Sequence, residues 1–224
     1  MGGFIAEECS GWRPAEVAWG VFCVASIAGL SILWKEPPLM IFAAVCGMMY
    51  TLLAGKGKSC CYLFGLINTP LYMYAAWQQR YYGDVALNAF YFLMMLPGFI
   101  VWRKHRRRNA EKGVEKTVLT KSERWVWLAV MVAATVVLYR VLVALGGARA
   151  WCDAMTNVLS VGAMILTVKR CAEQWPLWIA VNLIEVFMWF GVSAVSLLLM
   201  WILFLVNGCV LGFAWYRELA ENRP

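Results

Sequence analysis

Seven apolar runs follow one another along this chain, at about 16–34, 38–54, 60–79, 84–102, 124–145, 151–169 and 174–217. Each is long enough, or nearly so, to cross the ~30 Å hydrocarbon core of a bilayer. In lipid no water satisfies the backbone, so runs of this length must pair their N–H and C=O groups internally as helices. The last run is too long for one helix. Phe190-Gly191-Val192-Ser193 predicts a tight turn within it, which makes eight helices. Composition agrees: 62% of residues are hydrophobic and 15% charged, against about 25% charged in a typical soluble domain.

Charge orients the chain. Nine of the 20 Lys and Arg residues lie between Arg103 and Arg124, flanked on both sides by apolar runs. Eight spans with both termini on one side place these nine, Arg13, Lys56, Lys58, Lys169, Arg170, Arg217 and Arg223 together. Only Lys35, Arg80, Arg140 and Arg149 fall on the other side. The positive-inside rule makes the first side cytoplasmic. The basic run therefore reads as a cytoplasmic loop and not as a nucleic-acid surface. Both termini are therefore expected on the cytoplasmic side of a membrane.

Other function classes lose support. The eight cysteines are scattered, without a CxxC, and most sit in apolar segments as small hydrophobes. The single histidine, His105, lies in the basic run. No HExxH, GxSxG or P-loop is present, so neither an enzyme, a metal, a cofactor nor ATP-driven transport is expected. Acidic residues precede the first apolar run, unlike a signal peptide. Met-Gly-Gly lacks the Ser or Thr that myristoylation needs at position six.

The sequence matches itself at a shift of 114 residues. Lys56 falls on Arg170, Asn68 on Asn182, Phe90 on Phe204, Gly98 on Gly212 and Phe99 on Phe213. The shift carries helix 2 onto helix 6, four crossings later, so the repeat is parallel. Helices 2–4 and 6–8 become two triplets, joined by helix 5 and preceded by an additional helix 1. Parallel repeats of this kind are a transporter architecture with the substrate near the midplane. The organisation expected is 1–36 additional helix, 37–103 first repeat, 104–147 basic linker and connector helix, 148–217 second repeat and 218–224 tail.

Polar residues recur on single faces of four helices, at the i, i+3, i+4, i+7 spacing. Helix 7 carries Trp175, Trp178, Asn182, Glu185 and Trp189; helix 3 carries Asn68, Tyr72 and Gln79. Helix 4 carries Asp84, Asn88, Tyr91 and Trp102; helix 6 carries Asp153, Thr156 or Asn157, Ser160 and Thr167. Polar groups in a membrane interior face a bundle core or a wet cavity, so the four stripes predict a solvated path. Amides and hydroxyls suit ribose or carbonyl groups. Trp and Tyr suit a flat ring, including one with positive charge. The expected cargo is a small, neutral or cationic, ring-bearing polar molecule. Asp84 and Asp153 open helices 4 and 6 and read as N-terminal caps. Trp102 and Trp215, near helix ends, read as interface anchors.

Two stretches carry a family resemblance. "AGKGKSCCYLFGLINTPLYMYAAWQQRYYGDVALNAFYFLMMLPGFIVWRKH" (54–105) resembles the first repeat of PnuC-type nicotinamide riboside transporters, with its basic turn, FGxINxxLYxY and Gly-x-x-x-Trp exit. "WCDAMTNVLSVGAMILTVKRCAEQWPLWIAVNLIEVFMWF" (151–190) resembles the second, with DAxTxxxS and E-x-W-x-x-W-I-x-V-[DN]. The resemblance covers about 50–217. It implies an all-α integral membrane protein of eight transmembrane helices, with a 3+1+3 parallel-repeat, SWEET-like core and an extra N-terminal helix. It implies facilitated diffusion of a vitamin-like nucleoside, trapped inside by a separate kinase. The candidate substrate residues are Asn68, Tyr72, Asn88, Tyr91, Thr156, Asn157, Ser160, Trp175, Trp178, Asn182, Glu185 and Trp189. Family members differ at Asn88, Asn157, Met164 and Glu185, which leaves thiamine, riboflavin and deoxynucleosides open as cargo beside nicotinamide riboside. A non-transporting membrane sensor or scaffold is the reading from another class. The expected partners are the small-molecule substrate and the lipid bilayer; a homo-oligomer is left open.

Overall fold

In a computed structural model the chain is a helical bundle, described here for residues 8, 10–78, 80, 82–105, 113–146, 149–190 and 195–221. Eight helices are described: α1 Pro14–Leu33, α2 Pro38–Gly55, α3 Cys61–Gln78, α4 Tyr82–Lys104, α5 Lys121–Ala144, α6 Ala150–Val168, α7 Gln174–Trp189 and α8 Val195–Glu221. Each lies within a few residues of its apolar run. The long last run is divided as expected, with α7 ending at Trp189 and α8 starting at Val195; residues 191–194 themselves, like Gln79 and Arg223, lie outside the described residues.

Local chemistry explains the starts. Pro14 and Pro38 occupy first helical positions, where a missing N–H costs nothing. Thr120 and Glu123 form a capping box at α5. Asp84 and Asp153 are not caps. Both sit inside the first turns of their helices, and the α6 cap position is Arg149, without a side-chain cap bond. Their charge still complements the positive helix end.

Six of the helices are long and apolar enough to cross a membrane: α1, α2, α4, α5, α6 and the 198–221 part of α8. Helices α3 and α7 fall short for a physical reason. They carry Asn68 and Thr69, and Asn182 and Glu185, near their middles, and α7 has only 16 residues. Each packs between two other helices, α3 between α2 and α4, α7 between α6 and α8. Such a helix is solvated partly by protein and tolerates more polarity than one facing lipid. Helix α5 is the opposite case: Val126, Val130 and Val137 are more than half exposed, an outward surface that suits hydrocarbon.

Sequential neighbours pack within each triplet, and the triplets meet through α4 on α6 and α2 on α8. The shift that carries α2 onto α6 carries α4 onto α8, so exchanging the triplets turns one contact into the other. Between them, Tyr50 of α2 and Met164 of α6, which stand one repeat shift apart, touch each other: the phenol donates to the thioether sulfur at 3.6 Å. Helix α5 packs on α6, and α1 packs on α2 and α8. Asn207 of α8 fastens α1, accepting from Trp19 Nε1 at 3.0 Å and donating to Thr51 Oγ1 at 3.2 Å.

The basic linker shares one end of the bundle with the α2–α3 and α6–α7 loops. Val114 N–H donates to Gly57 O, Thr117 N–H to Arg170 O, and Ala172 N–H to Thr117 O. Glu16 of α1 pairs with Lys56 at this end, and Lys116 pairs with Glu218 of α8. The basic residues assigned to one side by charge, where described, therefore gather at this linker end. Cys171 is among them; burial pushes its thiol up, so it stays protonated beside Thr117 and behaves as a small apolar group.

Candidate functional site

Two zones lie between the triplets: a polar-aromatic cleft at mid-height, and an aromatic seal at the linker end.

The cleft is built where α4, α6 and α7 converge. Tyr91 of α4 faces Trp178 of α7 with ring centroids 6.2 Å apart and planes tilted by 56°. Ser160 of α6, 3% exposed, lies beside the Tyr91 phenol. Trp178 Nε1 donates to Thr167 Oγ1 at 3.2 Å, which turns the indole and leaves its face toward Tyr91. One turn further along α7, Asn182 is 8% exposed and its amide makes no hydrogen bond among the described residues. An amide that is not bonded within the protein is open to a polar guest. One more turn on, Glu185 accepts from Trp189 Nε1 at 3.2 Å.

The other predicted residues have other surroundings. Asn88 donates to Asp84 O at 2.9 Å and Asn157 to Asp153 O at 2.8 Å, the same i−4 bond on two packed helices. Thr156 makes a similar bond, to Asp153 O at 3.2 Å. These groups sit in the first turns of α4 and α6, at the end of the bundle away from the linker. Asn68 is engaged elsewhere: its amide donates to Ala43 O at 2.7 Å, over Gly47, where a Cβ would stand 2.8 Å from Asn68 Nδ2. That bond fastens α3 to α2. Tyr72 is half-buried on α3.

Trp175 lies in the seal and not in the cleft. It is 4% exposed and packs edge-on against Trp215 at 5.8 Å. Tyr62 packs edge-on against Trp102 at 5.3 Å in the same manner. The expectation that Trp102 and Trp215 anchor the membrane surface is corrected: both are 0% exposed, 6.3 Å apart at the centre of the bundle. Each crosses to the opposite triplet. Trp102 Nε1 of α4 donates to Thr167 O of α6 at 2.8 Å, and Trp215 Nε1 of α8 donates to Gly55 O of α2 at 2.6 Å. The repeated glycines now have a reason. Gly98 underlies the Tyr62 ring so closely that a Cβ would overlap it, and a Cβ on Gly212 would lie 3.0 Å from Trp175 Cβ.

Tyr62, Lys116 and Asn207 had escaped the sequence reading. Tyr62 and Trp102 find Trp175 and Trp215 one residue short of the repeat shift, a slip that an ungapped comparison hides. Asn207 was detectable as an amide within the apolar α8 run. Nothing in the basic run singled out Lys116.

Comparison with known proteins agrees with this architecture. The family model described as Nicotinamide mononucleotide transporter matches residues 37–217. The nicotinamide riboside transporter PnuC of Neisseria mucosa is 33% identical, across 96% of this chain and 86% of its own. The protein of the same name from Haemophilus influenzae is 29% identical, across 94% and 93%. A solved structure, the crystal structure of the Vitamin B3 transporter PnuC, superposes with a TM-score of 0.84 at 31% identity over 99% of both chains. The chain thus belongs to the PnuC-type nicotinamide riboside transporter family, a family of membrane transporters.

Proposed function

We propose that this protein takes up nicotinamide riboside by facilitated diffusion through the cleft between α4, α6 and α7. The observation that carries the reading is the conjunction at mid-height of the tilted Tyr91–Trp178 ring pair with the Asn182 amide, which makes no hydrogen bond among the described residues. A flat pyridinium ring can stack on an aromatic face, where stacking contributes about 1–3 kcal/mol and positive charge adds cation–π attraction. A carboxamide or ribose hydroxyl satisfies Asn182. Ser160 and Thr156 offer hydroxyls beside it, and Glu185 a carboxylate toward the far end. Asn88, Asn157, Tyr72 and Trp189 border the route. Asn68 and Trp175 act indirectly, as a staple and as part of the seal.

In this reading all eight helices span the bacterial inner membrane, with the linker end and both termini cytoplasmic. The core is a 3+1+3 assembly of parallel triplets, supported by the interchangeable α4–α6 and α2–α8 contacts and by Tyr50 meeting Met164 between them. Net uptake then follows the gradient that a separate kinase maintains by phosphorylating the product.

Calorimetry on the purified protein tests the reading, with thiamine, riboflavin and deoxyadenosine as rivals. Flux into liposomes completes it. Selective binding of nicotinamide riboside and saturable entry are expected. Selective binding of a rival changes the cargo, and binding without flux favours a sensor.

A further inference from the structure

The segment from Gly113 to Leu119 does more than join the two triplets. It runs across the linker end and bonds to both of the short loops there. Val114 N–H donates to Gly57 O at 2.9 Å in the α2–α3 loop. Thr117 N–H donates to Arg170 O at 3.0 Å in the α6–α7 loop, and Ala172 N–H returns to Thr117 O at 2.9 Å. Arg170 Nη1 donates to Glu115 O at 2.9 Å, and Leu119 N–H to the Glu173 carboxylate at 3.1 Å. Lys56 and Arg170 are counterparts under the repeat, so one strand ties together equivalent points of both triplets. Gly113 starts the crossing with φ +67, and a Cβ there would be 2.7 Å from Lys56 O. Only glycine combines that dihedral with that approach.

The strand also touches the seal. Val114 is 1% exposed and belongs to the core cluster that contains Trp102, Trp175 and Trp215. Lys116, 8% exposed, places its ammonium 4.9 Å from the Trp215 ring centroid and pairs with Glu218, one turn beyond Trp215 on α8. Beneath it, Tyr62 Oη and Trp175 Nε1 are fully buried with no hydrogen-bond partner among the described residues. The closed seal thus leaves two polar atoms unsatisfied, one from each triplet. Water or a passing polar molecule would satisfy both. A seal of this kind holds an incentive to open, and something must hold it closed.

We propose that residues 113–117 are a latch across the cytoplasmic end, with Lys116 as its closing contact: seated on Trp215 and paired with Glu218, it keeps the aromatic seal shut, and release of cargo requires it to leave. Rocking of one triplet against the other cannot separate Trp102 from Thr167 O and Trp215 from Gly55 O while the strand binds both loops. The latch rests on the transport reading, and the two fail in different ways.

The test compares the full-length wild type with Lys116→Met and Glu218→Gln. Lys116→Arg, which keeps the charge, is the control. Two readouts are taken: efflux of nicotinamide riboside from liposomes and amide exchange of the purified protein. The latch predicts that Lys116→Met and Glu218→Gln speed efflux several-fold, with Lys116→Arg close to wild type. Amides of 113–119 and of the inner ends of α2 and α6 exchange faster in the first two variants, while cargo affinity is unchanged. High salt, which screens the ion pair, moves the wild type toward the variants. Unchanged or slower efflux together with unchanged exchange, in variants that melt like the wild type, overturns the latch. If the wild type passes no cargo the transport reading fails, and the exchange data alone decide the latch. If Lys116→Met does not fold, Glu218→Gln, which removes only the carboxylate charge, is read by the same criteria.

Discussion

The two triplets are alike at the linker end and unlike at mid-height. At the linker end each supplies an aromatic at the head of its middle helix, Tyr62 or Trp175, a glycine beneath it, Gly98 or Gly212, and an indole that crosses over, Trp102 or Trp215. At mid-height the matching asparagines part company. Asn68 is engaged by Ala43 O, whereas Asn182 makes no hydrogen bond among the described residues. The aromatic cleft likewise draws on α4, α6 and α7 and has no mirror image in the contacts of α3 and α8. A seal must be pulled equally from both sides, which favours symmetry. A small asymmetric molecule has one ring face and one polar edge, and recognising it needs different groups on different walls.

Substitutions at matched positions can break this comparison. The largest effect is expected for Trp178→Ala, which removes a stacking face worth about 1–3 kcal/mol, or about 5–150-fold in affinity; calorimetry reads it directly. Trp175→Ala, in the seal, should instead lower the melting temperature. If it weakens binding as much as Trp178→Ala, the assignment of Trp175 to the seal is wrong.

Next come the glycines. Gly98→Ala and Gly212→Ala both overpack the seal, at about 1–3 kcal/mol each. Gly98 should lie at the upper end because its Cβ would overlap the Tyr62 ring, while Trp175 leaves 3.0 Å at Gly212. Thermal unfolding in detergent ranks them, and the reverse order would contradict the geometry.

A smaller effect separates the asparagines. Asn182→Ala should weaken cargo binding by about 2–13-fold, the value of a net hydrogen bond of ~0.5–1.5 kcal/mol. Asn68→Ala should appear mainly as lost stability. Equal loss of binding in both would restore a symmetric site. The smallest expected effect is the difference between Trp102→Phe and Trp215→Phe. Each loses part of a buried ring and one interhelical hydrogen bond, ~0.6 kcal/mol on average in membrane proteins, but Trp215 also carries the Lys116 ammonium, so Trp215→Phe should melt slightly lower.

Much of the architecture is local and was readable along the chain. The helices follow from apolar runs, because lipid offers the backbone no other partner. The divided last run and the gathering of the described basic residues at one end follow from counting and spacing. Polar stripes located Tyr91, Ser160, Trp178 and Asn182 on faces that do converge. The same stripes also took in Trp175 and Asn68, which the packed bundle uses otherwise.

The sequence by itself determined the class of protein, the number and approximate limits of its helices and the faces that turn inward, since each rests on a periodicity or a sum along one segment. Only the tertiary structure decided what each inward face meets. It buried Trp102 and Trp215 between the helices instead of turning them toward lipid, gave Asn68 a carbonyl, left Asn182 without one among the described residues, and laid Lys116 on Trp215. The rotation and depth of one helix against another are set jointly by both surfaces. No spacing within a single helix contains that information.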